Sequence, residues 1–261
     1  MIRILFLLIA FLPSFLFSNE LLLTKIEKEY LNNKKTLNLC IDPNWMPYEM
    51  IKNGKHIGMT ADYIKILEKY LNIKIKLVET KTWSESLEYG KQRKCDVFSL
   101  VMPTESRLEY LDFTKAYFDI PLVVSTQIHE VFIDDISFLN DKKIGIVKDY
   151  AYAEIVRKKY PNINLFYVNN VNDGLERLKN GQYFGFIGTL YTVGYQIQNN
   201  FVGELKIAGK FDEKWELGIA SRNDEPILKS IFNKAISSVP KEEKQAIFNK
   251  WLSIKYEKNY F

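Results

Sequence analysis

The hydrophobic positions of the chain follow two alternating periods. Short apolar runs, typical of buried strands, precede segments whose apolar residues recur at spacings of three and four, as on one face of a helix. Ile64, Leu67 and Leu71 follow the helical spacing and predict a helix over Ala61–Leu71. The strands predicted around it are Leu37–Ile41, Ile73–Val78 and Asp96–Val101.

Two more helices of the first half are predicted from their N-terminal residues. Thr82 and Glu85 have the Thr-x-x-Glu spacing of a capping box, which predicts a helix that ends near Gln92. Thr104 is predicted to cap a short helix that runs through Leu111.

The second half repeats this plan of alternating strands and helices. Its predicted strands are Ile144–Val147, Leu165–Val168, Phe184–Ile187 and Trp215–Ala220. Its predicted helices are Tyr150–Lys159, a helix capped by Asn172 that stops at Gly181, Leu190–Gln198, Pro226–Val239 and Glu242–Leu252. The alternation predicts two α/β units, each a mostly parallel sheet with helices on its faces. Ligands bind such sheets at the carboxyl ends of the strands, so a site is expected in the cleft between the units.

The N-terminus has the plan of a signal peptide. One positive charge at Arg3 precedes an apolar run from Ile4 to Phe17, and Ser18 is a small residue before a cut. We therefore predict that residues 1–18 are removed on export to the periplasm. A retained membrane anchor and a buried hydrophobic helix are the alternatives. Residues 19–35 are polar with a helical pattern and are expected to lie at the periphery.

Composition narrows the class of protein. The 261 residues are 47% hydrophobic, with 17 Phe and 16 Tyr, which is enough for a sizeable core. The net charge is +4 and lysines alternate with glutamates, so no basic block indicates nucleic-acid binding. With only two histidines and none of the common catalytic or zinc-binding motifs, the sequence favours a binding protein over an enzyme. No metal or cofactor is predicted.

The two cysteines are Cys40 and Cys95. An even number in an exported chain favours a disulfide. Buried free thiols are the alternative.

Several segments together resemble the family 3 solute-binding proteins. They are Leu39–Glu49, Gly58–Asp62, Pro103–Arg107 with Tyr110–Thr114 behind it, Ile144–Lys148, Trp215–Ala220 and Lys250–Leu252. The resemblance covers about residues 36–255 and implies the type II periplasmic-binding fold, in which two hinge strands join the lobes. It implies lobe 1 over residues 36–120, lobe 2 over 121–210 and a return to lobe 1 over 211–261. In this fold the first and third strands of lobe 1 are neighbours, which supports a Cys40–Cys95 bridge.

Two segments resemble one branch of this family in particular. They are the Cys-x-x-Pro-x-Trp-x-Pro-Tyr-Glu pattern beginning at Cys40 and Lys241-Glu242-Glu243 before the last helix. Both are more similar to the binding domains of bacterial sensor kinases and diguanylate cyclases than to transport amino-acid receptors.

Arg107 is the principal candidate for ligand binding. A cation in the first turn of a helix opposes the helix dipole, which makes sense where an anion docks at the same end. The resemblance implies that this arginine holds a ligand carboxylate. The alternative is a surface ion pair with Glu105 or Asp112. Thr104, which caps the helix, is a further ligand-binding candidate, and so is Met102, which like Leu100 replaces a polar residue that commonly contacts the amine and carboxylate in the family.

The loop after the first strand supplies further candidates. Trp45 would stack on a flat ligand, Asp42 would accept a hydrogen bond from an amine, and Tyr48 would line the pocket or pack beneath the loop. Glu49 and Asp62 are interpreted as structural.

The second lobe departs from the pattern of amino-acid receptors. Asp149 is interpreted as an N-cap, and Tyr150 and Tyr152, which flank Ala151, would narrow the cleft. Thr189 stands where amino-acid receptors carry the aspartate that holds the α-ammonium, and a buried ammonium without a paired charge is costly. We therefore expect an organic acid, flat or aromatic, rather than an ordinary α-amino acid.

Four functions follow from these residues. The first is capture of a small carboxylate for an ABC-type importer. The second is a sensing domain that signals to a histidine kinase or a diguanylate cyclase. A dehydratase-like enzyme using Asp42, Glu49 and Asp62 is less favoured. A structural role without ligand is the fourth, and its sign would be a cleft plugged by Tyr150 and Tyr152.

Overall fold

The computed structural model describes residues 21–252. The predicted signal peptide, residues 1–18, lies outside the described residues, as does the end of the predicted return segment from residue 253 onward. No helix within residues 21–252 is long and apolar enough to cross a membrane.

Strands and helices alternate along the described chain. The strands are β1 (Thr36–Cys40), β2 (Asn44–Trp45), β3 (Glu49–Lys52), β4 (Lys55–Ile57), β5 (Lys74–Leu77), β6 (Val97–Val101), β7 (Leu111–Phe113), β8 (Phe118–Gln127), β9 (Lys143–Val147), β10 (Asn164–Val168), β11 (Gly185–Thr189) and β12 (Leu205–Arg222). The helices are α1 (Lys25–Lys34), α2 (Met59–Leu71), α3 (Trp83–Lys91), α4 (Glu105–Leu108), α5 (Ala151–Lys159), α6 (Val171–Lys179), α7 (Leu190–Asn200), α8 (Ile227–Ser238) and α9 (Lys241–Leu252), with a 3₁₀ turn at Ile136–Leu139.

One nine-stranded sheet runs through both halves of the molecule, with the long strands β8 and β12 in its middle. The strand order is β10-β9-β11-β8-β12-β6-β1-β5, and β7 also pairs with β12. We call the half with β1, β5, β6 and β7 lobe 1 and the half with β9, β10 and β11 lobe 2. Within each lobe the central pairs are parallel, whereas β8 and β12 run antiparallel to each other from one lobe to the other. The predicted two-lobed α/β fold with two hinge strands is confirmed.

Buried side chains fill the space between sheet and helices in both lobes and form one continuous cluster. In lobe 1 the fully buried side chains include Leu67 of α2 and Phe98 of β6, and in lobe 2 they include Leu175 of α6 and Phe186 of β11. Gly174 lets α6 pack closely on the Phe186 ring, because a Cβ at that position would lie 2.2 Å from the ring. Helices with a 3.6-residue apolar spacing therefore pack onto the strands as the pattern predicts.

The helix caps were predicted with mixed success. Thr82 is the N-cap of α3, but the Glu85 carboxylate accepts from the backbone N–H of Lys81 rather than that of Thr82, so the reciprocal box does not form. Thr104 caps α4, which ends at Leu108 rather than Leu111, because Leu111–Phe113 pairs with β12 as β7.

The prediction that Asn172 caps α6 is wrong. Asn170 is the N-cap, and its Oδ1 accepts a hydrogen bond of 2.9 Å from the backbone N–H of Asp173. Asn172 lies inside the helix and is exposed.

The segment before lobe 1 is a helix, as expected. Thr24 caps α1 in a full capping box with Glu27, a Thr-x-x-Glu spacing that the sequence contains. Glu27 accepts hydrogen bonds from Ser230 and Lys234 of α8, which attaches α1 to lobe 1.

Cys40 and Cys95 form the predicted disulfide. Cys40 ends β1 and Cys95 precedes β6, and these strands are parallel neighbours. Their Cα atoms are 5.7 Å apart, and the bridge closes a loop with a sequence separation of 55 residues.

Candidate ligand-binding cleft

Asp42 lies at the carboxyl end of β1, where the chain enters the short sheet β2-β3-β4. Its side chain is 4% exposed, and its Oδ1 accepts a hydrogen bond of 2.8 Å from the backbone N–H of Asn44. This loop therefore presents a buried carboxylate at the edge where the two lobes meet.

The Glu49 carboxylate fixes the backbone of this loop. Its Oε1 accepts a hydrogen bond of 2.9 Å from the Asp42 backbone N–H, and its Oε2 accepts from the hydroxyls of Thr60 and Ser99. Burial raises the pKa of Glu49 to about 8, although the Ser99 contact opposes the shift. Asp62 accepts from Lys250 and Trp251 at the back of lobe 1. Both acids have structural contacts, as interpreted from the sequence.

Arg107 lies in the cleft and is 5% exposed. Its Nη1 donates to the Met102 carbonyl at 2.7 Å and its Nη2 donates to the Asp149 carbonyl of lobe 2 at 2.8 Å. The guanidinium lies 5.4 Å from the centre of the Trp83 ring, and burial lowers its pKa to about 10. The alternative of a surface ion pair is wrong: Glu105 pairs with Lys158 and Asp112 with Lys229.

Asp149 forms the turn through which lobe 2 contacts lobe 1. Its carbonyl accepts hydrogen bonds from Arg107 Nη2 and from Trp83 Nε1, the latter at 3.1 Å. Its carboxylate accepts from Ser84 Oγ at 2.5 Å. The residue has φ 61°, in the left-handed region that few non-glycine residues adopt. The sequence suggested Asp149 as the N-cap of α5, and this prediction is wrong. Tyr150 takes that position without a side-chain cap.

Tyr150 crosses the cleft beside this turn. Its hydroxyl donates to Asp42 Oδ2 at 2.5 Å, and its ring meets the Trp45 ring edge-on at 5.7 Å. The Tyr152 ring packs against Tyr150 at 5.2 Å and is also buried. Burial raises the pKa of Asp42 to about 6, although the hydrogen bond from Tyr150 opposes the shift. Both tyrosines therefore fill the cleft.

The space left in the cleft is small. It has a volume of about 30 Å³, room for roughly two water molecules. Among residues 21–252, no group accepts a hydrogen bond from the buried Trp45 Nε1 or from the Tyr152 hydroxyl. The cleft is therefore closed by contacts between the lobes, and two donors inside it lack acceptors.

Six of the nine candidate ligand-binding residues line this space together: Asp42, Trp45, Met102, Arg107, Tyr150 and Ala151.

The other three candidates lie elsewhere. Tyr48 is fully buried beneath Trp45 with its ring 4.5 Å away. Thr189 is the buried N-cap of α7, and its hydroxyl donates to Thr192 Oγ1. Thr104 lines a wider groove outside the closed contact.

Sequence reasoning missed Trp83 and Ser84 as cleft residues. Both belong to the Thr-x-x-Glu segment that opens α3, which was interpreted only as a helix start. Their partner, Asp149, is 66 residues from Trp83 along the chain, so no local pattern indicates the contact.

The outer groove, about 780 Å³ in volume, leads from solvent to Arg107. Lys91, Lys148 and Arg157 line it together with Glu88 and Glu154. Within the part of the chain that the structure describes, no group of His, Cys, Asp and Glu side chains is arranged to hold a metal ion.

Comparison with known proteins places these features in a family. The family described as bacterial extracellular solute-binding proteins, family 3, matches residues 37–254. The virulence sensor protein BvgS of Bordetella pertussis is 19% identical over 227 residues, and the sensor protein EvgS of Escherichia coli K12 is 24% identical over 239 residues. These matches cover 86% and 89% of this chain but only 18% and 19% of the two relatives, so the chain spans about a fifth of their length.

A solved structure shares the fold. The crystal structure of the B. pertussis BvgS periplasmic VFT2 domain superposes with a TM-score of 0.80 at 19% identity, covering 87% of this chain and 98% of that domain.

Proposed function

The chain belongs to the bacterial extracellular solute-binding proteins, family 3, and we propose that it is a ligand-sensing domain of a signalling system that crosses a membrane. The names of the relatives support a sensor, because BvgS and EvgS are both sensor proteins. The signalling partner would be a membrane sensor kinase or a diguanylate cyclase. These relatives do not support delivery of a ligand to an ABC-type importer.

The observation that carries this proposal is the position of the Asp149 carbonyl. It accepts from Arg107 and Trp83, the two lobe 1 groups best placed to bind an anionic oxygen. A backbone oxygen of lobe 2 thus stands in for a ligand and keeps the lobes together. The cleft therefore has a closed state without ligand, and a ligand with different affinities for the closed and open states would shift the equilibrium between them.

The ligand class follows from the groups that the Asp149 turn engages. Arg107 has no carboxylate within ion-pair distance among residues 21–252, so a ligand carboxylate would replace the Asp149 carbonyl with a stronger, charge-assisted bond. The donors Trp45 Nε1 and Tyr152 hydroxyl need acceptors, and Thr189 offers no charge for an α-ammonium. We infer a small organic acid whose entry displaces the turn and separates the lobes.

The same proposal includes the export of the protein and the bounds of its lobes. Residues 1–18 direct export to the periplasm, lobe 1 comprises residues 36–120 and 211–261, and lobe 2 comprises 121–210. No catalysis is proposed, because Glu49 and Asp62 are engaged in structural contacts.

One observation favours a second function, a structural role without ligand, in which the protein is a ligand-free clamp. Tyr150 and Tyr152 are both buried in the cleft, which is the sign predicted for that role. The two functions differ in whether an organic acid stabilises the protein.

A thermal-shift screen of residues 19–261 with amino acids, polyamines and aliphatic and aromatic carboxylates separates them. Ligand at one hundred times its Kd should stabilise the fold by about 2.7 kcal/mol. We expect carboxylates to raise the melting temperature of the wild-type protein and Arg107→Ala to abolish that shift. Amino acids should not shift the melting temperature of the wild type. Thr189→Asp is the matched test of the missing charge, and we expect it to introduce amino-acid binding. A folded protein that responds to no carboxylate would support the ligand-free clamp.

A further inference from the structure

A second concave site lies behind the hinge, away from the cleft. We call it the hinge groove and define it by Met59 and Tyr63 of α2, Tyr117 and Phe118 at the start of β8, and Lys244 and Phe248 of α9. Its volume is about 310 Å³, whereas the closed cleft has about 30 Å³. Pockets that hold small ligands start at roughly 300 Å³. The hinge groove therefore has room for a small molecule in the conformation in which the cleft has none.

Aromatic side chains form the walls of the hinge groove. The Tyr63 and Tyr117 rings stack at 4.5 Å with 10° between their planes, and Phe118 and Phe248 lie 6.0 Å apart. The Tyr117 hydroxyl donates to the Ser99 carbonyl at 2.7 Å, which fixes that ring. Such walls favour a flat or apolar ligand body.

The described residues give the hinge groove a positive charge. Lys241 and Lys244 line it, and none of its lining residues within 21–252 is Asp or Glu. The Lys244 side chain is partly buried, has no hydrogen bond or ion pair within residues 21–252, and its pKa is lowered by burial. Glu243, the acidic neighbour, accepts from the Tyr70 hydroxyl instead. A partly buried ammonium without a partner favours an anion.

One donor in the wall also lacks an acceptor. The Tyr63 side chain is 4% exposed, and its hydroxyl has no hydrogen-bond partner in the described chain. Buried polar groups without partners are rare in native proteins, so the Tyr63 hydroxyl needs an acceptor that residues 21–252 do not supply.

We propose that the hinge groove binds a small aromatic carboxylate, with its ring against Tyr63, Tyr117 and Phe248 and its carboxylate at Lys244. This site is separate from the cleft and does not depend on what the cleft binds.

Methionine-methyl NMR of the protein tests the site directly, because Met59 lines the hinge groove and Met102 lines the cleft. Benzoate is the probe and benzamide its uncharged counterpart, and Met59→Leu assigns the signal. We expect benzoate to shift the Met59 methyl, benzamide to bind far more weakly, and Lys244→Gln to weaken benzoate binding about tenfold. Gln245→Trp, which adds bulk at an exposed lining position, should also abolish the shift.

Lys69→Gln is the matched control, since Lys69 is exposed on α2 and does not line the hinge groove. It should leave the benzoate affinity unchanged. A shift of Met102 alone, an equal response to benzamide, an unchanged affinity in Lys244→Gln, or no response at millimolar benzoate would each overturn the proposal. A ligand that shifts only Met102 would leave the proposed function of the cleft intact.

Discussion

Replacing Tyr150 by Phe should loosen the contact between the lobes without altering either core. The change removes the hydroxyl that donates to Asp42 Oδ2 at 2.5 Å and leaves Asp42 with the backbone N–H of Asn44 as its remaining donor among the bonds described here. Hydrogen bonds to charged groups contribute about 1.5–3 kcal/mol. Burial raises the pKa of Asp42 to about 6, so the variant is compared with wild type above that pH, where the carboxylate carries its charge. The equilibrium between closed and open lobes should therefore shift roughly ten- to hundredfold toward the open form.

Hydrogen exchange of tryptophan indoles, followed by NMR, measures this shift. The Trp83 Nε1–H donates across the lobes to Asp149, whereas the Trp251 Nε1–H donates to Asp62 within lobe 1 and serves as the internal reference. In Tyr150→Phe the Trp83 exchange rate should rise by the same factor as the open population, with Trp251 unchanged. Tyr152→Phe is the matched control, since its hydroxyl has no hydrogen-bond partner in the described part of the chain. If the Trp83 exchange rate rose equally in both variants, or did not rise in Tyr150→Phe, the Tyr150–Asp42 hydrogen bond would not be what keeps the lobes closed.

Three further predictions concern stability. Replacing Cys40 and Cys95 together by Ser should lower the free energy of unfolding by about 4 kcal/mol in denaturant titrations, since the bridge closes a loop of 55 residues; a change near zero would contradict it. The folded pKa of Glu49 is raised from 4.5 to about 8, so the folded state binds more protons and stability falls as the pH rises through that range; Glu49→Gln should flatten this slope in pH-dependent denaturation, and an unchanged slope would count against it. Asn170→Ala should cost about 1 kcal/mol through loss of the α6 cap, whereas Asn172→Ala, at an exposed helix position, should cost little; the reverse order would restore the original cap assignment.

The alternation of strands and helices could be predicted where an element is long enough to show its period, as in the thirteen-residue helix α2. The β2-β3-β4 sheet could not, since its strands have two to four residues and its turns dominate the pattern. Leu111, the first residue of β7, was predicted as the end of a helix. Its place in a strand depends on the pairing of β7 with β12, a contact distant in sequence that overrides local preference.

The site residues that could be predicted are those whose side chains supply the binding groups. Arg107, Asp42 and Trp45 were identified from a cation at a helix start and from a polar loop at the end of a strand, and all three line the cleft. The role of Asp149 depends on its carbonyl and its left-handed backbone, which the identity of the side chain does not indicate. The partners of that carbonyl are fixed only when the lobes close.

The interlobe distance of the ligand-free protein shows whether the Asp149 turn closes the cleft. Pulsed EPR between labels attached without cysteine chemistry at Lys69 of α2 and Gln198 of α7, both exposed, reports it before and after addition of a stabilising carboxylate. We expect a single short distance without ligand, because the Asp149 turn already closes the lobes, and a longer or broader distribution once the carboxylate displaces it. A ligand-free protein that is open and contracts when the carboxylate is added would show that the Asp149 turn does not hold the lobes together.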